Sequence, residues 1–171
     1  CIALRQAPME TYVALKARSR TVVKCLNEGA TTGAGLWPHD ESLYPHYKTS
    51  TDYFNWLIEG VSSSKFGLDD NCLRQLHDDL VSQLYGRKCF TIKNTPWIVV
   101  KNLPEDAPDN FIVMASANVN PASLRTRLTD EDMHKQIELE KESSAHLFQK
   151  HVLLFRKDSK VVELWEGHSP Q

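Results

Sequence analysis

The chain has 171 residues, of which 41% are hydrophobic and 25% are charged, values typical of one folded domain and not of a disordered or collagen-like chain. Its 20 Lys and Arg against 22 Asp and Glu give a net charge of −2, which argues against nucleic acid as a partner. No run approaches the roughly 20 apolar residues that cross a bilayer. We therefore expect one globular domain over residues 1–171.

The first predicted element is a leading helix over residues 9–28. Its apolar residues recur at spacings of three, seven and four, as expected for one helical face, whereas its basic residues occupy the other faces. The apolar residues are Tyr12, Leu15, Val22 and Leu26, and the basic ones are Arg18, Arg20 and Lys24. Gly29 follows, and glycine is common just past a helix end.

The middle region, residues 29–86, is predicted to hold a loop and two shorter helices. Residues 29–50 show no lasting period, so we expect a structured loop anchored by Trp37, Tyr44 and Tyr47. Ser50 or Thr51 is expected to cap a short helix that ends at Gly60.

A third helix is predicted to start at Asp69 or Asp70, either of which can cap its first turn. Its leucines lie on one face: Leu73, Leu76, Leu80 and Leu84. Gly86 is expected to terminate the helix.

The last region, residues 87–171, is predicted to form the antiparallel sheet. Strands are expected at 89–93, 97–101 and 111–117, which are rich in Ile, Val, Phe and Trp, and a hairpin at 152–156 and 160–165. Residues 128–144 are compatible with a helix that starts near Thr129 or with a short edge strand. Helices followed by strands indicate an α+β fold, with the leading helix packed on the sheet.

Several short sequence segments accompany this order of helices and strands. The leading helix runs through Ala17, Arg18, Ser19 and Arg20 to Cys25, Leu26 and Asn27, and a Trp-Pro loop follows at residues 37–38. Later in the chain, the strand 111–119 precedes Asn120 and Pro121, and the strand residues 152–157 precede Asp158. Together they resemble the globular part of type IV pilin-like proteins, including type II secretion pseudopilins.

The resemblance implies a structural filament subunit of the bacterial envelope without a cofactor, metal or catalytic site. Its partners would be other pilin-like subunits, and an apolar segment upstream of residue 1 would anchor it in the inner membrane. The leading helix would continue that segment as the assembly helix. Part of its apolar stripe, formed by Tyr12, Leu15, Val22 and Leu26, would pack on the subunit's own sheet and the rest on neighbouring helices. Arg18, Arg20 and Lys24 would face acidic groups of adjacent subunits.

The four cysteines, Cys1, Cys25, Cys72 and Cys89, contain no CxxC pair, which favours disulfides of an exported chain over a zinc ribbon. Cys72 and Cys89 are a candidate pair, because the strand beginning at Cys89 is expected to fold back beside the third helix. Pairings with Cys25 stay open, and Cys1 is also compatible with a lipidated N-terminus.

Two other functions are weighed against the filament subunit. An envelope lipoprotein or secreted binding module would hold a ligand with the aromatic loop 36–47, that is with Trp37, Tyr44 and Tyr47. A small hydrolase would draw on Ser62–Ser64 with His77 and Asp78, but no nucleophile-elbow motif is present.

Two groups of polar loop residues carry side chains that can ligate a metal ion. His39, Asp40, Glu41 and His46 match no zinc-ligand spacing, and Asp106, Asp109 and Asn110 match no calcium loop. Ordinary loop and turn chemistry explains both groups better, so no metal is predicted.

Overall fold

The computed structural model describes residues 2–29, 36–37, 48–63, 66–100, 103, 106–119 and 151–165. Within these ranges, helices precede strands: α1 (Ile2–Glu28), α2 (Ser50–Ser62), α3 (Asp70–Ser82), β1 (Trp97–Val99), β2 (Ile112–Ser116), β3 (His151–Arg156) and β4 (Val161–Trp165). The predicted α+β class, with a leading helix and an antiparallel sheet, is confirmed. None of these helices combines the length and apolar character that a membrane span requires.

Helix α1 begins at Ile2, seven residues before the predicted start, and ends at Glu28 as expected. It packs against α3 and β3. Its end is closed by the backbone amide of Leu36, which donates to the carbonyl oxygen of Leu26 at 2.8 Å. Gly29 makes this return possible, because a Cβ there would lie 2.3 Å from Cγ of Leu36.

Helix α2 differs from the prediction at both ends. Its N-cap is Thr49, whose side chain accepts a hydrogen bond from the amide of Asp52 at 3.1 Å, so neither Ser50 nor Thr51 caps it. Gly60 does not terminate the helix, which continues to Ser62. Gly60 is buried there, and a Cβ would lie 2.2 Å from the ring of Phe66. The glycine therefore allows close packing and does not end the helix.

Helix α3 begins as predicted, but it ends at Ser82 with Gln83 as its C-cap, so Gly86 does not terminate it. Asp69 is the N-cap and accepts a hydrogen bond from the amide of Cys72 at 2.7 Å. The leucine face is buried at Leu76, Leu80 and Leu84 and partly buried at Leu73. After the helix, Tyr85 and Gly86 take positive φ values of 51° and 84°, which turn the chain away from the helix axis.

The predicted strand 89–93 is wrong, because this segment forms a turn. The amides of Asn94 and Thr95 both donate to the carbonyl oxygen of Thr91, at 3.1 and 3.0 Å. The side chain of Asn55 in α2 brackets the segment: it accepts from the amide of Phe90 and donates to the carbonyl oxygen of the same residue. These side-chain contacts occupy the groups that a strand would use.

The four strands form one antiparallel sheet in the order β1-β2-β3-β4. The central strand β2 is buried along its whole length, and the predicted hairpin is confirmed as β3 and β4. At the outer edge of β1, the amide of Val99 donates to Oγ of Ser50 in α2 at 3.0 Å. The ambiguous segment 128–144 lies outside the described residues.

Candidate assembly surface and the adjoining thiol cluster

From residue 13 onward, where the side chains of α1 are described, all but one of the exposed positions recur every three or four residues and form one stripe. This exposed stripe consists of Val13, Ala17, Arg20, Lys24 and Glu28. Val13 is 59% exposed, and the small Ala14 and Ala17 lie beside it. Toward its N-terminal end the stripe thus consists of short apolar side chains, and toward Glu28 it is charged.

The opposite face of α1 belongs to the core of the chain itself. Leu15, Val22 and Leu26, predicted as assembly residues, are at most 1% exposed, so the folded domain does not offer them to a neighbour. A helix with one strongly apolar face buries it first against its own sheet and helices. Tyr12 lies in the part of α1 whose side chains are not described.

The predicted basic contacts divide into two groups. Arg18 lies 3.6 Å from Asp79 of α3 and therefore pairs within its own chain. The pKa of the Asp79 carboxyl is raised, because the effect of burial exceeds the opposing effect of the nearby Arg18 guanidinium. Arg20 and Lys24 are exposed and form no ion pair with any described residue.

Two polar contacts fix the orientation of α1 on the domain. Within the core, the indole Nε1 of Trp97 in β1 donates to Oγ of Ser19 at 2.7 Å, and Ser19 is fully buried. At the end of the helix, Asn27 accepts from Nε1 of Trp37 at 2.6 Å and donates to the carbonyl oxygen of Lys157, next to β3. The middle and the C-terminal end of the described buried face are thus held by hydrogen bonds.

The aromatic loop predicted as a ligand site is described only at residues 36 and 37. Trp37 is fully buried, so its ring packs in the core and presents no face to a ligand. The Tyr53 hydroxyl donates to the carbonyl oxygen of Leu36 at 2.7 Å and holds this point of the loop down. Tyr44 and Tyr47 lie outside the described ranges, as do His39, Asp40, Glu41 and His46.

A thiol cluster lies where the end of α1 meets the start of α3, and it consists of Cys25, Glu28, Asp69 and Cys72. Sγ of Cys72 donates to Oε2 of Glu28 at 2.8 Å. Cys25 lies one turn before Glu28 on α1. Both sulfur-bearing residues are buried, at 1% and 8% exposure, whereas the two carboxylates reach the surface.

The cluster raises the pKa of both thiols. For Cys72 the principal cause is the hydrogen bond to the Glu28 carboxylate, with burial second. For Cys25 the principal cause is burial, which the hydrogen bond with Cys72 partly offsets. Both thiols are consequently protonated near neutral pH and are weak nucleophiles in the folded chain.

The predicted Cys72–Cys89 disulfide is not formed: both residues carry free thiols, and Cys89 is exposed. Cys72 lies in the first turn of α3, about 15 Å along the helix axis from its last residue. The chain does not return to that first turn, because Phe90 is bonded to Asn55 of α2.

The remaining sequence candidates do not converge on a site within the described ranges. Nδ1 of His77 lies 3.4 Å from Oδ1 of its neighbour Asp78 on the surface of α3. Ser62 and Ser63 lie at the C-terminal end of α2. Asp109 takes part in a turn through its carbonyl oxygen, which accepts from the amide of Asp158. The one described group with ligand atoms close enough to share a metal ion is Glu28, Asp69 and Cys72, all within 4.8 Å of one another.

Sequence reasoning missed the residues that define both features. Val13 and Ala17 were not separated from the buried face, although their spacing of four already placed them on a common stripe. The thiol cluster also had a signal: Cys25 and Glu28, like Asp69 and Cys72, are three residues apart at a helix end. The packing of α1 on α3, which joins the two pairs, had no local signal.

No family model, curated protein or solved structure matches this chain significantly. Its function is therefore argued from its own residues.

Proposed function

We propose that the chain is the globular part of a pilin-like subunit of a type IV pilus or type II secretion filament, exported to the bacterial envelope. The observation that carries the proposal is the division of α1 into two faces. One face is locked into the core through Leu15, Val22 and Leu26, and the other is the exposed stripe.

The length of α1 supports a role beyond folding of the domain. Its 27 residues extend over about 40 Å, roughly twice the length of the average helix in globular proteins. In a pilin-like subunit this helix continues upstream as an apolar segment, which is anchored in the inner membrane before assembly and lies in the filament core afterwards.

The apolar end of the exposed stripe supports close approach of a second subunit. Val13 is the described α1 residue that offers a large exposed apolar side chain, and the neighbouring alanines let another helix backbone come near. Burying a valine side chain against a partner contributes about 1.5 to 3 kcal/mol. Repeated at every subunit, such a contact drives polymerisation.

The charged end of the stripe supports a defined register between subunits. Arg20 and Lys24 are exposed one turn apart, and Glu28 follows one turn later on the same stripe. Opposite charges on one surface attract when two copies are displaced along the helix axis, and such pairs select orientation more than they add affinity.

The decisive experiment introduces Val13→Asp and Ala17→Asp into the full-length gene in its native host. Both substitutions place a charge where a neighbouring subunit would bury the surface, so we expect filaments in sheared-cell fractions to be lost. The matched control is Ile92→Asp, at a site that is 51% exposed in the turn after α3 and should leave assembly intact.

Folding is checked separately on the 171-residue chain. Val13→Asp should shift its melting temperature by no more than a few degrees, because surface substitutions usually change stability by less than about 0.5 kcal/mol. Leu15→Asp, at a buried site, is the unfolded reference. Normal filaments from a Val13→Asp, Ala17→Asp subunit would contradict the proposal, as would a full-length gene that encodes only polar sequence upstream of residue 1.

A further inference from the structure

We propose that Cys25 and Cys72 form a disulfide bond that joins the last turn of α1 to the first turn of α3. Two observations carry the assignment. Both residues are buried where α1 packs against α3, and Glu28, one turn after Cys25, accepts a hydrogen bond from Sγ of Cys72 at 2.8 Å. The Cys72 sulfur is therefore seated against the turn of α1 that carries Cys25.

The folded structure selects this pairing over the alternatives among the described cysteines. Cys25 and Cys72 are buried together, whereas Cys89 is exposed beyond the far end of α3. A disulfide requires Cα atoms within about 7 Å, so Cys89 pairs with either buried cysteine only if packing around α3 is disrupted.

The bond forms by thiol–disulfide exchange with a low-molecular-weight or protein disulfide as the oxidant. The Cys72 thiol loses its proton to solvent, and the resulting thiolate attacks the donor disulfide, releasing one donor thiolate. Cys25 then loses its proton to solvent and attacks Sγ of Cys72, expelling the second donor thiolate. Two protein thiols are oxidised to one disulfide, and the donor gains two electrons and two protons.

The stage of folding at which the disulfide forms follows from the burial of the two thiols. Because both thiols are buried and protonated in the folded chain, an external disulfide reaches them slowly once the domain has formed. Oxidation therefore accompanies folding, when α3 has not yet closed over Cys25. The inference does not depend on filament assembly, since any oxidising compartment or redox buffer supplies the donor.

The test is oxidative refolding of the reduced, denatured 171-residue chain in a buffer of oxidised and reduced glutathione, followed by alkylation and peptide mapping by mass spectrometry. We expect a linked peptide pair that contains Cys25 and Cys72, with Cys89 recovered in the alkylated form. Linkage of Cys89 to either residue, or a folded product in which Cys25 and Cys72 are both alkylated, would overturn the assignment.

A second measurement uses stability and has a matched control. The bond closes a loop of about 48 residues, so a reductant should lower the melting temperature of the oxidised protein by about 10 °C. Cys89→Ser should keep this sensitivity, whereas Cys25→Ser and Cys72→Ser should abolish it. If a serine variant does not fold, peptide mapping of the unaltered chain still decides the question.

A metal ion is the competing occupant of the cluster, because Glu28, Asp69 and Cys72 bring their ligand atoms within 4.8 Å of one another. Zinc needs the Cys72 thiolate, which the disulfide consumes, so the two occupants exclude each other. Chain isolated from its native compartment should contain no stoichiometric zinc by elemental analysis. One equivalent of zinc, lost in Cys72→Ser but retained in Cys89→Ser, would overturn the disulfide.

Discussion

The indole nitrogen of Trp97 donates a hydrogen bond to the hydroxyl of Ser19 at 2.7 Å, and this contact joins β1 to α1 inside the core. Ser19 in turn donates to the carbonyl oxygen of Leu15, one turn earlier. A small polar residue on the apolar face of a helix is thereby fully satisfied. The contact fixes which face of α1 lies on the sheet and, by exclusion, which face remains exposed.

The Ser19–Trp97 contact gives the first prediction. Ser19→Ala leaves the buried indole N–H without its partner and should lower the free energy of unfolding by about 1 to 3 kcal/mol. Trp97→Phe removes the donor, so adding Ser19→Ala to that background should cost about 1 kcal/mol less than it does alone. Urea unfolding of the four chains measures this coupling, and additive effects would show that the hydrogen bond contributes nothing.

Asn27 is expected to be the second polar residue that stabilises the position of α1. It accepts from Nε1 of the fully buried Trp37 and donates to the carbonyl oxygen of Lys157, so Asn27→Ala leaves two groups without partners. We expect a loss of about 2 kcal/mol or more in urea unfolding. Asn71→Ala, at an exposed site in α3, is the matched control and should change stability by less than about 0.5 kcal/mol. Equal effects of the two substitutions would contradict this role.

His151 at the start of β3 is expected to make stability depend on pH. Burial lowers its pKa from the ordinary value of 6.5, an effect partly opposed by the nearby Glu163 carboxylate. Because the unfolded chain binds a proton more readily than the folded one, stability from this residue is fully present above pH 6.5 and is lost as the pH falls toward the lowered value.

The His151 prediction is measured as the difference in unfolding free energy between the native chain and His151→Gln. That difference should shift against the native chain as the pH falls from about 8 to about 5.5, the range over which an ordinary histidine titrates. His77→Gln, on the surface of α3, serves as the comparison. A difference that is constant with pH for His151→Gln would rule out the proposed effect of burial.

Gly60 provides a test of close packing between α2 and the segment that follows it. In Gly60→Ala the new methyl group would lie 2.2 Å from the Phe66 ring, so the ring must move. Overpacking of this kind typically costs about 1 to 3 kcal/mol, although alanine favours the helix. Adding Phe66→Leu should recover part of the loss, as measured by thermal unfolding. A stabilising Gly60→Ala would show that the ring relocates freely.

The elements that sequence predicted well are those with a strong local period or a local cap. The leucine face and the Asp69 cap of α3 are encoded within one helix, and the β3–β4 hairpin is encoded by two apolar runs around a polar turn. Such signals need no knowledge of the rest of the chain.

The incorrect predictions depended on contacts between distant segments. The apolar run 89–93 is held in a turn by Asn55 of α2, which lies 35 residues from Phe90 in the chain. The separation of Val13 from Leu15 likewise depends on how α1 rests on α3 and β3. The placement of Cys25 and Cys72 in the same α1–α3 contact region has the same origin, and it could not be predicted from their spacing in the sequence.

The hydrogen bond from the Val99 amide to Ser50 Oγ has a consequence for how copies of this chain associate. An open sheet edge recruits further strands through its outward N–H and C=O groups, the route by which many proteins aggregate. Here a helix hydroxyl satisfies one of those outward donors, and α2 packs over β1. Addition of a further strand is therefore disfavoured at this edge of the sheet, so a second copy of the chain cannot readily extend the sheet from β1.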